Sequence, residues 1–141
     1  VRFVATAGTP VQAWLTSQSL SANTVLTEDL DGDGQEVILE YGLGGSALAP
    51  DSALTSAATD PEGRLQISFL WNSAATDLTA AVRASGDLVT WTTILEKSGS
   101  GPWTGSATFS DLPAGGDLRE LTVTDPLTGE RRFLRLRIHQ P

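Results

Sequence analysis

Asp29-Leu30-Asp31-Gly32-Asp33-Gly34-Gln35-Glu36-Val37-Ile38-Leu39-Glu40 places carboxylates on alternate residues and closes with an acid at the twelfth position. A hard divalent cation takes six to eight oxygen ligands, and alternate residues of a tightly turned loop converge to supply them. In this twelve-residue calcium-loop pattern, Asp29, Asp31 and Asp33 offer side-chain oxygens and Gln35 its backbone carbonyl. Gly34 allows the turn and Glu40 closes the site with two oxygens. Val37 stands at the ninth position, where water would take the ligand's place. Calcium is the expected ion, since magnesium rarely accepts an all-protein oxygen cage.

The same acids dominate the charge balance. The 141 residues carry 9 basic and 17 acidic groups, a net charge of -8. Val1 to Gly63 holds nine acids and one base, Arg2, whereas Arg64 to Pro141 is neutral with eight of each sign. With no phosphate-neutralising surplus, nucleic acid and anionic membranes are not expected partners. Without cysteine, disulfide scaffolds, thiolate metal sites and thiol nucleophiles are excluded. No apolar run approaches the roughly 20 residues of a membrane helix. One histidine, His139, is poorly placed to serve a hydrolytic triad. No carboxylate pair spaced for glycosidase work, phosphate loop or dinucleotide fingerprint is evident either, so the expectation is not an enzyme.

Several elements must position the loop. Thr9-Pro10-Val11-Gln12 reads as a capping box with proline at the first helical position, starting a short helix to about Ser17 with Val11, Trp14 and Leu15 on one face. Glu36 to Tyr41 reads as a short exit helix stopped by Gly42-Leu43-Gly44-Gly45. Residues 46–63 read as a connecting segment. From Arg64 the period changes to two, with Leu65, Ile67, Phe69 and Trp71 alternating with Arg64, Gln66, Ser68 and Leu70. Further strands are expected at Leu78–Ala84, Leu88–Glu96 (with a bulge), Trp103–Phe109, Leu118–Thr124 and Arg132–His139, separated by Gly/Pro/Asp turns. The resulting fold class is mainly β. It is an antiparallel β-sandwich over 64–141, preceded by short helices and the calcium loop over 9–63 and by an N-terminal strand in 1–8. That strand, Val1 to Ala7, either completes its own sheet or donates itself to a neighbouring molecule's open edge.

Two groups of residues together resemble a known module. DLDGDGQEVILEYGLGGSALAPDSA resembles the calcium-loop-plus-helix segment near the C-terminus of many secreted bacterial surface proteins, and its loop is similar to those of EF-hands, dockerins and thrombospondin type 3 repeats. Ala84 to Trp91, Leu121 to Pro126 and Arg132 to Arg137 resemble the sandwich that follows it. The resemblance covers roughly residues 10 to 141. It implies an extracellular, non-catalytic, calcium-stabilised module with an immunoglobulin- or fibronectin-like sandwich. Extracellular calcium is plentiful, and lack of both Met and Cys suits an oxidising cell surface. A first residue Val1 fits a processed, exported chain as well as an internal cut.

Two roles remain. The first is structural or adhesive: a filament subunit that meets copies of itself head to tail. Its contact residues would be Val1, Phe3 and Ala5 of the terminal strand and Arg135 and Arg137, an arginine row facing a neighbour's acidic half. The second is a carbohydrate-binding or surface-attachment module. Trp103, following Gly101-Pro102 near a turn, is its best candidate for an exposed platform toward an extracellular polysaccharide.

Overall fold

A computed structural model describes residues 9–46, 48, 54–128 and 131–140, and the expected strand Val1–Ala7 lies outside them. The elements, in order, are α1 (Pro10–Ser17), α2 (Val37–Leu43), β1 (Thr55–Thr59), β2 (Leu65–Asn72), β3 (Thr79–Ser85), β4 (Thr92–Ser98), β5 (Thr108–Pro113), β6 (Leu118–Thr124) and β7 (Phe133–His139). They form a four-stranded sheet in the order β1-β2-β6-β5 and a three-stranded sheet in the order β4-β3-β7. Every pairing is antiparallel. The chain is mainly β and sandwich-like, as expected.

Period-two patterning explains which faces meet. Ile67, Phe69 and Trp71 of β2 are buried with Leu121 and Val123 of β6, while Ala80, Val82 and Ala84 of β3 bring the other sheet into the same core. Trp71 packs edge to face on Trp103, with ring centroids 5.5 Å apart. Arg83 pairs with Thr93 and Val82 with Leu95, so Ile94 is an extra residue in β4. Such a bulge turns two adjacent side chains inward, and Ile94 and Leu95 are both buried. This is the bulge that the ambiguous phase around Trp91 foretold.

Three strand expectations need correction. Residues 46–63 are not only a connector, because β1 lies within them; its Thr, Ser and Ala residues are all exposed, so no hydrophobic period marks it. β4 begins at Thr92 rather than Leu88, since Asp87 Oδ1 accepts the backbone N–H groups of Val89 (2.9 Å) and Thr90 (2.8 Å) and holds that stretch in a turn. Trp103 to Ala107 is irregular, and the expected strand there is β5, displaced to Thr108–Pro113.

The helices cover one end of this core. In α1 the capping box forms as read: Gln12 N–H donates to Thr9 Oγ1 (3.3 Å) and Thr9 N–H to Gln12 Oε1 (3.0 Å). α2 runs through Gly42 instead of stopping there. A methyl group at Gly42 would come within 3.2 Å of both Ile138 and Leu78 and 3.4 Å of Trp71, so its absence lets the helix lie directly on both sheets. The helix ends at Gly44, whose φ of 78° is the left-handed cap.

Candidate metal centre

The loop is held at both ends by backbone bonds. Val37 N–H donates to the Glu28 carbonyl and Ile38 N–H to the Leu26 carbonyl, each at 2.8 Å. Between these anchors the chain turns on its own aspartates. Asp29 Oδ1 accepts from Gly32 N–H (2.9 Å) and its Oδ2 from Gly34 N–H (2.8 Å). Asp31 Oδ1 accepts from Asp33 N–H (3.3 Å), and Asp33 Oδ1 from Gln35 N–H (2.9 Å). Gly34 takes a φ of 88°, which a side chain would strain. Local hydrogen bonding therefore orients the carboxylates without using all their oxygens.

Asp29, Asp31 and Asp33 each present an oxygen within 4.8 Å of the others, a tri-aspartate cluster capable of coordinating a divalent cation. Asp31 Oδ2 is buried and accepts no hydrogen bond. Burial pushes the Asp31 carboxyl above its ordinary range; the bond from Asp33 N–H opposes this, while the Asp33 carboxylate and, more weakly, Asp29 reinforce it. A buried, unsatisfied carboxylate oxygen beside two further acids is a costly arrangement that a cation would relieve. The donor set is all oxygen, which suits a hard ion.

The remaining expected ligands sit differently. Gln35 is bonded through its side chain, whose Oε1 accepts from Leu54 N–H (3.2 Å) and so ties the loop to the residue before β1. Glu40 is fully buried on α2 and does not join the 4.8 Å cluster. Val37 is buried in the core, so its side chain brings no oxygen to the ninth position. Comparison with protein-family models, with curated proteins and with solved structures finds no match, so the site is interpreted from its own atoms.

Other candidates fall elsewhere. Trp103, expected to be the most exposed tryptophan, is only 9% exposed; the Gly101-Pro102 turn folds it inward against Trp71 and Phe69. Arg135 and Arg137 are exposed on β7, and the Arg135 guanidinium lies 4.1 Å from the centre of the Trp91 ring. Val1, Phe3 and Ala5 lie outside the described residues.

Two polar constellations escape a sequence reading. Asp77 accepts Tyr41 Oη–H at 2.7 Å and Val11 N–H at 3.0 Å, clamping both helices to the turn before β3. Burial, then Asp77, pushes the Tyr41 hydroxyl well above its usual range, so it stays a donor. Asp125, fully buried, is forked by Arg132 at 2.7 and 3.2 Å. The partners of Asp77 are 36 and 66 residues away, so no local pattern announces them.

Proposed function

We propose that this chain is a calcium-stabilised, non-catalytic structural or adhesive module of an extracellular surface, with a tendency to assemble on itself. The observation that carries the proposal is the buried, unsatisfied Asp31 Oδ2 inside the tri-aspartate cluster. In this reading Asp29, Asp31, Asp33, the Gln35 carbonyl and Glu40 hold the ion, and calcium is favoured over magnesium by ligand number and loop flexibility. Resemblance of the loop and sandwich to modules of secreted bacterial surface proteins supports the extracellular placement. The exposure of His139 at the end of β7, on an arginine-bearing strand face, supports the non-catalytic part.

An ion bound only by the folded state adds RT ln(1 + [L]/Kd), about 1.4 kcal/mol at ten times Kd. Calorimetric titration with calcium and with magnesium, paired with melting curves in calcium and in chelator, tests the site. The expected outcome is a higher Tm in calcium that chelator reverses, with no such response in Asp31→Ala and a weakened one in Glu40→Gln. Identical curves in calcium and chelator for the unmodified chain would refute the proposal.

A further inference from the structure

Leu88, in the turn between β3 and β4, holds a conformation that leucine rarely takes. Its φ is 64°, in the left-handed region that glycine or asparagine enters at little cost and a bulky side chain does not. Burial does not offset the strain, since Leu88 is 58% exposed and its neighbour Val89 82%. The turn is nevertheless firmly held. Ser85 Oγ accepts from Asp87 N–H (3.1 Å) and Leu88 N–H (2.9 Å), and donates to Asp87 Oδ1 (3.0 Å). Asp87 Oδ1 accepts in turn from Val89 and Thr90, so two side chains fix four successive backbone N–H groups. Strain over-determined in this way collects where a chain meets a ligand or partner. Two large apolar side chains on a fixed turn make a peg.

Arginines surround the peg. Gly86 lies against Arg131 and Arg132, Arg83 donates to the Trp91 carbonyl (3.2 Å), and Arg135 stacks on the Trp91 ring. Arg83, Arg131 and Arg135 are in no ion pair among the described residues, and the one acid of the turn, Asp87, is engaged with the turn's own N–H groups. A groove of matching character lies elsewhere. It has a volume of about 270 Å³ and is lined by Leu43, Leu54, Phe69 and Leu70 together with Glu120, which is exposed and in no ion pair among the described residues. Peg and groove sit at opposite ends of the sandwich. Leu43 follows Gly42, which lies against Leu78 just before β3, whereas the peg follows Ser85 at the far end of β3, seven residues or about 20 Å on.

We infer that the Leu88–Val89 peg of one copy seats in the Leu43–Leu54–Leu70 groove of the next, with the peg's arginines meeting Glu120. Charge complementarity selects this groove. The second apolar groove, of about 290 Å³, is lined by Arg135 and would repel the same peg. An apolar projection that fits a pocket at the other end of the molecule makes a contact that does not close on itself, so copies add in a row. The inference rests on the self-assembly part of the proposed function and names the contact that would carry it.

Sedimentation of the full chain in millimolar calcium, over a wide range of protein concentration, tests it. The unmodified chain should grow in mass with concentration. Leu88→Asn, which relieves the backbone and removes the peg, should melt no lower than the parent yet associate about tenfold or more weakly. Leu70→Arg, which fills the groove and pairs with Glu120 across the ladder, should do the same to association. An equimolar mixture of these two variants should form dimers and nothing larger, because one brings an intact groove and the other an intact peg. Val89→Asp and Glu120→Lys are second variants of peg and groove, so one that fails to fold does not remove the test. A Leu88→Asn chain that assembles like the parent, or melts clearly lower, overturns this contact and leaves self-assembly standing. A mixture that stays monomeric overturns the pairing of this peg with this groove. An unmodified chain that is monomeric at every concentration overturns both readings, and its binding to vesicles of phosphatidylcholine and phosphatidylserine, lost in Leu88→Asn, would assign the peg to a lipid surface instead.

Discussion

Asp31 is held in the folded chain with its proton affinity raised, by burial first and then by its acidic neighbours. The sign of the consequence follows from linkage. A carboxyl whose folded pKa lies above its unfolded value binds protons more tightly when folded, so this group costs the ion-free chain stability as pH rises through that range. A cation takes the place of the proton. The calcium-dependent rise in Tm should therefore be full at neutral pH and shrink as pH falls through the raised Asp31 range. Asp31→Asn should remove that pH dependence, which paired melts in calcium and chelator from about pH 7 down to about pH 4 will show. A second residue-scale test concerns Asp125. Arg132 is its ion-pair partner at 2.7 Å, and the bond to Asp125 holds the guanidinium's pKa above its ordinary value. Arg132→Ala leaves a fully buried carboxylate with its Leu127 N–H bond (3.0 Å) but no counter-charge, and should cost about 3–5 kcal/mol in urea unfolding. Arg132→Lys, which restores charge without the fork, should fall between.

At the scale of elements, α2 is where the metal loop and the sandwich are joined. Its seven residues include Val37, Ile38, Tyr41 and Leu43 in the core, so the loop's exit direction is set by packing rather than by the helix's own stability. Gly44 ends the helix in the left-handed region and faces Leu118, whose Cδ2 would lie 2.5 Å from an added methyl. Gly44→Ala is expected to lower stability by about 1–2 kcal/mol from backbone conformation alone. Gly44→Asn should lose less in backbone terms, since Asn tolerates that conformation. Chemical denaturation of the two variants against the parent will rank them, and equal losses would show that the Leu118 contact, not the backbone, decides. The same scale explains what patterning can and cannot reveal. β2 and β6 were legible because apolar residues alternate with polar ones, and β1 was not because all five of its residues face out. The bulge in β4 was legible only as a confused phase, because two adjacent inward residues imitate neither strand nor helix.

Across the whole molecule the charge is divided between two surfaces. The outer face of the β4-β3-β7 sheet carries Arg83, Arg135 and Arg137, none in an ion pair among the described residues, while the acidic loop leads into α2. If copies meet head to tail through these surfaces, sedimentation in millimolar calcium should show mass rising with protein concentration. Association should weaken in about 0.5 M salt, where the Debye length falls to a few ångströms. Arg137→Glu should weaken it at low salt as well, and a strictly monomeric chain under all conditions would sink the self-assembly reading. Apolar periodicity, capping residues and the spacing Asp29-x-Asp31-x-Asp33-Gly34 were enough by themselves to determine a mainly β chain, its first helix and its tri-aspartate cluster. These are local matters, decided within a turn or a strand. Tertiary structure alone decided that Trp103 is core, that Asp77 clamps both helices, and that Glu40 is fully buried. Each depends on which distant backbone comes alongside, and that is chosen by competition among faces for burial rather than by neighbouring residues.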